Sequence, residues 1–127
     1  MFKGANFSTL RNVKSTCYIG KKIDSTFDDN GNELSNYEKP EKYSFNIQPV
    51  TNTSDIQEFG EHSSKMKVAV ITNRAKYEDK FKEFDCAYLD GVTPEGETYN
   101  GEKANYRVYA VQNQNVIIRV FFIKLIK

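Results

Sequence analysis

Asn105 to Ile126 reads NYRVYAVQNQNVIIRVFFIKLI, and this closing stretch decides the fold. Tyr106 to Val111 is a run of β-branched and aromatic residues, the types that suit a pleated surface. Gln112-Asn113-Gln114-Asn115 interrupts it with turn-forming polar residues. Val116 to Ile126 is a second, longer run, broken only by Arg119 and Lys124. Two such runs around a short polar break predict an antiparallel hairpin. Its second strand puts Val116, Ile118, Val120 and Phe122 on one face, and Ile117, Phe121, Ile123 and Leu125 on the other. A strand with one wet face alternates apolar with polar. This one hardly does, so both faces need cover. One packs into the core; the other takes either cover from its own chain or a neighbouring subunit, since apolar patches left open mark interfaces. Ile117, Phe121, Ile123 and Leu125 are thus the candidate subunit interface.

Upstream, the same reasoning finds shorter strands. Val13 to Ile23 alternates and reads as one strand, and Asp28-Asp29-Asn30-Gly31-Asn32 is a strong turn signal. A calcium loop centred on Gly31 would start at Thr26 and end at Tyr37, where the bidentate glutamate belongs, so a solvated hairpin tip is the reading. Tyr43, Phe45 and Ile47 alternate with polar residues up to Pro49, and Met66 to Thr72 alternates again. Between them Thr51 to Lys65 is polar and reads as a long loop, the kind that is either functional or disordered. Asn73 is a candidate N-cap for a helix over about 74–84, where Tyr77, Phe81 and Phe84 form an apolar stripe and Glu78 faces Lys82. This helix is expected to lie across the open side of the sheet. Asp85 to Leu89 is a short strand, followed by a Gly-bearing loop through Lys103.

The expected fold is therefore mainly β: a small antiparallel β-barrel with long polar loops and one short α-helix. Residues 13–127 form the single barrel domain, and 1–12 an N-terminal arm, either a frayed terminus, the more common outcome, or a strap on a neighbour through Phe2, Phe7 and Leu10.

Composition narrows the function classes. The chain has 127 residues, 39% hydrophobic and 28% charged, which is ordinary for one globular domain. Its 18 basic and 17 acidic residues leave a formal net charge of +1, without the basic excess of a dedicated nucleic-acid binder. Met1 to Ala5 leads into polar residues, so no secretory signal is expected, and no run is long enough to span a membrane. Cys17 and Cys86 sit in strand-like contexts and read as buried free thiols. With one histidine, His62, and no CxxC, no metal site is expected. There is no GxSxG, no Walker A and no dinucleotide loop, so no catalytic residue, cofactor or enzymatic activity is assigned.

Several segments, in order, resemble the head-tail joining proteins of tailed bacteriophages. They are Pro40; Tyr43 to Pro49, with its Asn46-Ile47-Gln48-Pro49 end; Asp55 to Glu61, containing Phe59-Gly60; and the strand closing in Val70-Ile71-Thr72. They continue with Ala87-Tyr88-Leu89-Asp90, Tyr106 to Val111, and Asn115 to Arg119. Tyr18 to Lys22 with the Asp29 to Asn32 turn also fits. The resemblance covers the chain from about Tyr18 onward. It departs before Asp85, where relatives carry a C-P-hydrophobe-D-E run and this chain has a charged segment and a displaced Cys86. The resemblance implies a structural virion protein of the neck, made in the bacterial cytoplasm. Such a head-closure or stopper subunit forms a closed ring of roughly six or twelve copies. The ring lies below the portal and its adaptor protein, retains packaged DNA, and presents a surface to the tail terminator and tail. A near-neutral chain suits a conduit through which double-stranded DNA slides, because many phosphate contacts would hold it. The candidate channel loop is Thr51 to Lys65, with Thr51, Asn52, Thr53, Ser54, Asp55, Glu58, Glu61, His62 and Lys65 its polar members. The Asp24 to Glu38 hairpin is the second choice. Two alternatives stand beside this: a tail terminator or tail-tube ring subunit, and an OB-like module stacking single-stranded nucleic acid on Tyr18, Tyr43, Tyr88, Tyr106 and Tyr109.

Overall fold

The structure is a computed structural model that describes residues 14–27, 29–31 and 33–126. The expected arm over 1–12 lies outside the described residues. In chain order the elements are β1 (Ser15–Gly20), β2 (Lys22–Phe27), β3 (Glu33–Tyr37), β4 (Glu41–Pro49) and α1 (Thr53–Phe59). A 3-10 segment (Gly60–Lys65), β5 (Met66–Ile71), α2 (Arg74–Tyr77), β6 (Cys86–Tyr88), β7 (Tyr106–Gln114) and β8 (Ile117–Lys124) follow. Six strands close a barrel in the order β1-β4-β5-β8-β7-β6, every pairing antiparallel. β2 and β3 form a separate two-stranded ribbon. The small antiparallel barrel is as expected.

The alternation read from the sequence places the core. Cys17, Ile19, Phe45, Ala69, Ile71, Val108, Ile118, Val120 and Phe122 all lie in one buried cluster inside the barrel. β7 and β8 pair from Tyr106↔Lys124 to Gln114↔Ile117, so the strand runs through the expected break and the turn moves to Asn115-Val116. The register shifts between Val108 and Ala110. One extra residue opposes β8 there, a β-bulge, so Val108 and Val111 both face the core while Tyr109 and Ala110 join the outer cluster. Period-two counting cannot see such a slip. The expected strand over Val13 to Ile23 is divided at Lys21, where the chain leaves the barrel for the ribbon.

The helix expected over about 74–84 is one turn long. Asn73 caps it as expected, its side chain accepting the Lys76 N–H at 3.2 Å. Glu78 then turns extended, and Asp79 takes a left-handed φ of 61°. Arg74 takes the place of Lys82 as the partner of Glu78. Tyr77 and Phe81 still meet the core, because both pack their rings on Tyr43 and Phe45 at the barrel end. Phe84 does not: it is left-handed, with φ 75°, and 52% exposed. Aromatic stacking on Tyr43 and Phe45 overrides the helix propensity of this Lys- and Glu-rich run, as tertiary contacts routinely do.

Candidate functional site: the helical cover and the ribbon

The segment expected as a polar loop, Thr51 to Lys65, is instead a cover of α1 followed by the 3-10 segment. Local chemistry explains it. The Asn52 side chain accepts the Ser54 N–H at 2.8 Å, Asp55 sits in the first turn, and Gly60, with φ 61°, ends the helix. Phe59 packs its ring on Phe121 of β8, centroids 4.8 Å apart, and on Tyr109 of β7 at 5.8 Å. Together with Val50, Met66 and Val68 they make a second apolar cluster on the outside of the barrel.

The candidate channel residues are thereby divided. Thr51, Asn52, Thr53, Ser54, Glu58, Glu61, His62 and Lys65 are exposed on the cover. Asp55 is buried and forms a two-pronged ion pair with Arg119 of β8, one arm Nη1 to Oδ1 at 3.0 Å and the other Nη2 to Oδ2. Arg119 also donates to the Gln112 side chain at 3.3 Å, and the Gln112 amide donates to Glu58. Arg119 read as a break in an apolar run; it is the residue that clamps the cover to the barrel. The helix was legible in Asn52-Thr53-Ser54-Asp55 and Phe59-Gly60, a cap and a stop, but the polar composition between them reads as loop.

The candidate subunit interface is corrected by the same cover. Phe121 is fully buried beneath Phe59, Ile123 packs against the same cluster, and Leu125 packs with Cys86, Tyr88 and Ala104. Ile117 is half-buried. The second face of β8 is covered largely from within the chain, so its apolar character carries no argument for a neighbour.

The ribbon stands apart from this packing and is anchored at its base. Lys22 donates its N–H to Asp85 at 3.0 Å, and Glu38 donates to the Lys21 carbonyl at 2.8 Å. Asn100 donates to the Tyr37 carbonyl at 3.2 Å, and an ideal Cβ at Gly101, where φ is 91°, would lie 2.6 Å from the Tyr37 ring. Asp85 is buried and also accepts the Lys82 N–H at 3.0 Å. Burial raises its pKa above the ordinary value, and those backbone donors oppose the shift. The distal turn residues Asp29, Asn30 and Gly31 are exposed.

The remaining reactive groups are built into the frame. Cys17 and Cys86 are buried and unpaired, as expected, and burial pushes their thiols up to about 12 and about 11. Cys86 donates weakly to the Gly20 carbonyl at 3.6 Å. His62 lies beside the Tyr109 ring. Tyr88 is fully buried, donates to Glu97 at 2.7 Å and accepts the Gly101 N–H at 2.8 Å, which ties down the 92–103 loop. Tyr106 is buried and donates to Asp90. Tyr43 stacks on Phe45, and Tyr18 meets Tyr88 edge-on. Tyr88 and Tyr106 present no ring to a nucleobase. Among the described residues no group of three or more His, Cys, Asp or Glu is placed to hold a metal ion, and no helix is long and apolar enough to cross a membrane.

Comparison with known proteins gives the fold and stops there. No family model matches the chain, and no curated protein matches it. Among solved structures the fold is similar to the solution structure of protein SF1141 from Shigella flexneri 2a, a structural-genomics target. The two align with a TM-score of 0.57 over 90% of this chain and 94% of the other, at 9% identity.

Proposed function

We propose that the chain is a structural subunit of a tailed-phage neck, a head-closure component that assembles as a ring below the portal and its adaptor. The ordered motifs from Tyr18 onward supply the neck reading. The observation that carries it further is the two-stranded ribbon outside a closed barrel. Closure leaves the barrel no free edge on which a partner could add a strand. Copies that meet through the barrel wall would do so by side-chain surfaces, and the ribbon is the element able to reach beyond the wall. Its exposed Asp29-Asn30-Gly31 tip makes the 24–38 hairpin the better channel candidate. The cover over 51–65 is the weaker one, because Asp55 and Phe59 hold it against its own barrel. A net charge of +1 suits a passage through which DNA must slide.

Fractionation tests the reading. Particles from a lysate that produces this chain are separated into DNA-filled heads and free tails, and both are probed for it. The expected result is the chain on filled heads. Its presence on free tails alone favours a tail-terminator ring, and its absence from both overturns a neck role.

A further inference from the structure

Phe84 is one of the large hydrophobic side chains left exposed on the described surface. It is bulky, left-handed and half exposed, a backbone state that costs free energy and persists only where its surroundings impose it. The imposition is visible: Phe84 donates its N–H to the Val108 carbonyl at 2.9 Å, and Val108 donates to the Asp85 carbonyl at 2.8 Å. The ring so presented lies under two cations, with the Arg107 guanidinium 5.1 Å and the Lys22 ammonium 5.6 Å from its centroid. Beside it a depression of about 410 Å³ is lined by Phe84, Ile23, Lys21, Lys22 and Lys82, with Glu83 and Asp85. Ile23 is 45% exposed. Lys21, Lys22, Lys82 and Arg107 outnumber Glu83 and Asp85 there, so the patch is basic.

The complementary surface is on the same molecule. Thr93 to Lys103 carries three glutamates, Glu95, Glu97 and Glu102, against one lysine. Tyr99 projects from it 74% exposed. The loop is held in shape from below by Tyr88, whose hydroxyl joins Glu97 to the Gly101 N–H. An acidic loop with an exposed tyrosine and a basic hollow with an exposed phenylalanine form a matched pair. Aromatic contact and cation–π attraction would seat the ring, and the charges would fix its orientation.

We infer that this pair is an interface between copies of the chain: Tyr99 on the acidic 93–103 loop of one copy docks into the basic hollow at Phe84 of the next. Two different patches meeting make a heterologous contact, the kind that generates a ring when its rotation closes. The inference rests on the ring reading for its setting and supplies that reading with a contact surface other than β8.

A charge swap tests it, read by sedimentation velocity on the full chain up to about millimolar concentration. Wild type is expected to self-associate. Lys82→Glu and Glu95→Lys each weaken association about tenfold, as expected for losing one close charge pair at an interface. An equimolar mixture of the two variants restores it, because each mismatched patch finds its reversed partner. A second arm mixes Glu83→Cys with Thr98→Cys protein under mild oxidation; the mixed disulfide dimer should form well ahead of either self-dimer, as Cys17 and Cys86 are buried. Association unaffected by both single charge changes overturns this contact and leaves the ring reading standing. A wild type that stays monomeric and gives no mixed dimer also overturns it, while the fractionation above judges the neck role separately.

Discussion

Asp55 and Arg119 sit 64 residues apart in sequence and share one buried ion pair, with side-chain exposures of 5% and 15%. Removing one partner leaves a buried charge alone, so Asp55→Ala should cost about 3 kcal/mol in urea unfolding. Replacing both with leucine and methionine should cost clearly less, because no uncompensated charge remains. Gly101 is a second point of close fit. An alanine there meets the Tyr37 ring and a left-handed backbone, so Gly101→Ala should lower stability by about 1 kcal/mol or more, measured the same way. The thiols make a pH prediction. Burial raises Cys17 from 9.0 to about 12 and Cys86 to about 11, so both hold their protons more firmly folded than unfolded. Stability is full below about pH 9 and falls as pH rises toward about 11 and 12. A Cys17→Ala variant should start lower in stability and lose less of it between about pH 8 and about pH 10.5. These pairings were not legible in the sequence. An ion pair between distant residues leaves no local pattern, and Arg119 looked only like an interruption.

Strands were the legible elements, because a half-buried strand writes its two faces into alternate residues. Tyr43, Phe45 and Ile47, then Met66 to Ile71, then Ile118, Val120 and Phe122 gave the barrel wall in this way. The helices were not. The stripe of Tyr77, Phe81 and Phe84 suggested three turns; the chain makes one turn and then lets stacking on Tyr43 and Phe45 set its path. The cover was hidden for the opposite reason. Its exposed polar residues outnumber its anchors, and only the Asn52 cap and the Gly60 stop mark a helix. The cover also explains why β8 is apolar on both faces: one faces the barrel interior, and the other lies under Phe59. Phe59→Ala should therefore cost about 2 kcal/mol by lost burial and increase dye binding to the uncovered β8 face. Asn52→Ala should cost about 1 kcal/mol through loss of the cap, with the barrel spectrum unchanged.

The whole molecule is a closed barrel with a two-stranded ribbon tied to it at its base and an acidic loop held in shape by Tyr88. Barrel class and near-neutral charge were readable from the chain, while the site was read only in part. The 24–38 hairpin shows in the sequence as a turn signal, the 51–65 segment packs onto the barrel where a loop is expected, and Phe84 lies exposed where the stripe predicts core. The helical cover and the exposed Phe84 depart from expectation because local pattern does not fix long-range packing. The Tyr99 loop and the Phe84 hollow are different patches, and a contact between different patches is the kind from which a ring closes. The most direct measurement is a cryo-electron microscopy reconstruction of the neck in intact particles. The predicted result is this barrel repeated around the axis below the portal and adaptor, with the 24–38 ribbon toward the channel. Finding the chain in the capsid shell or at the tail tip, or finding no copy of it in the particle, would contradict the neck role.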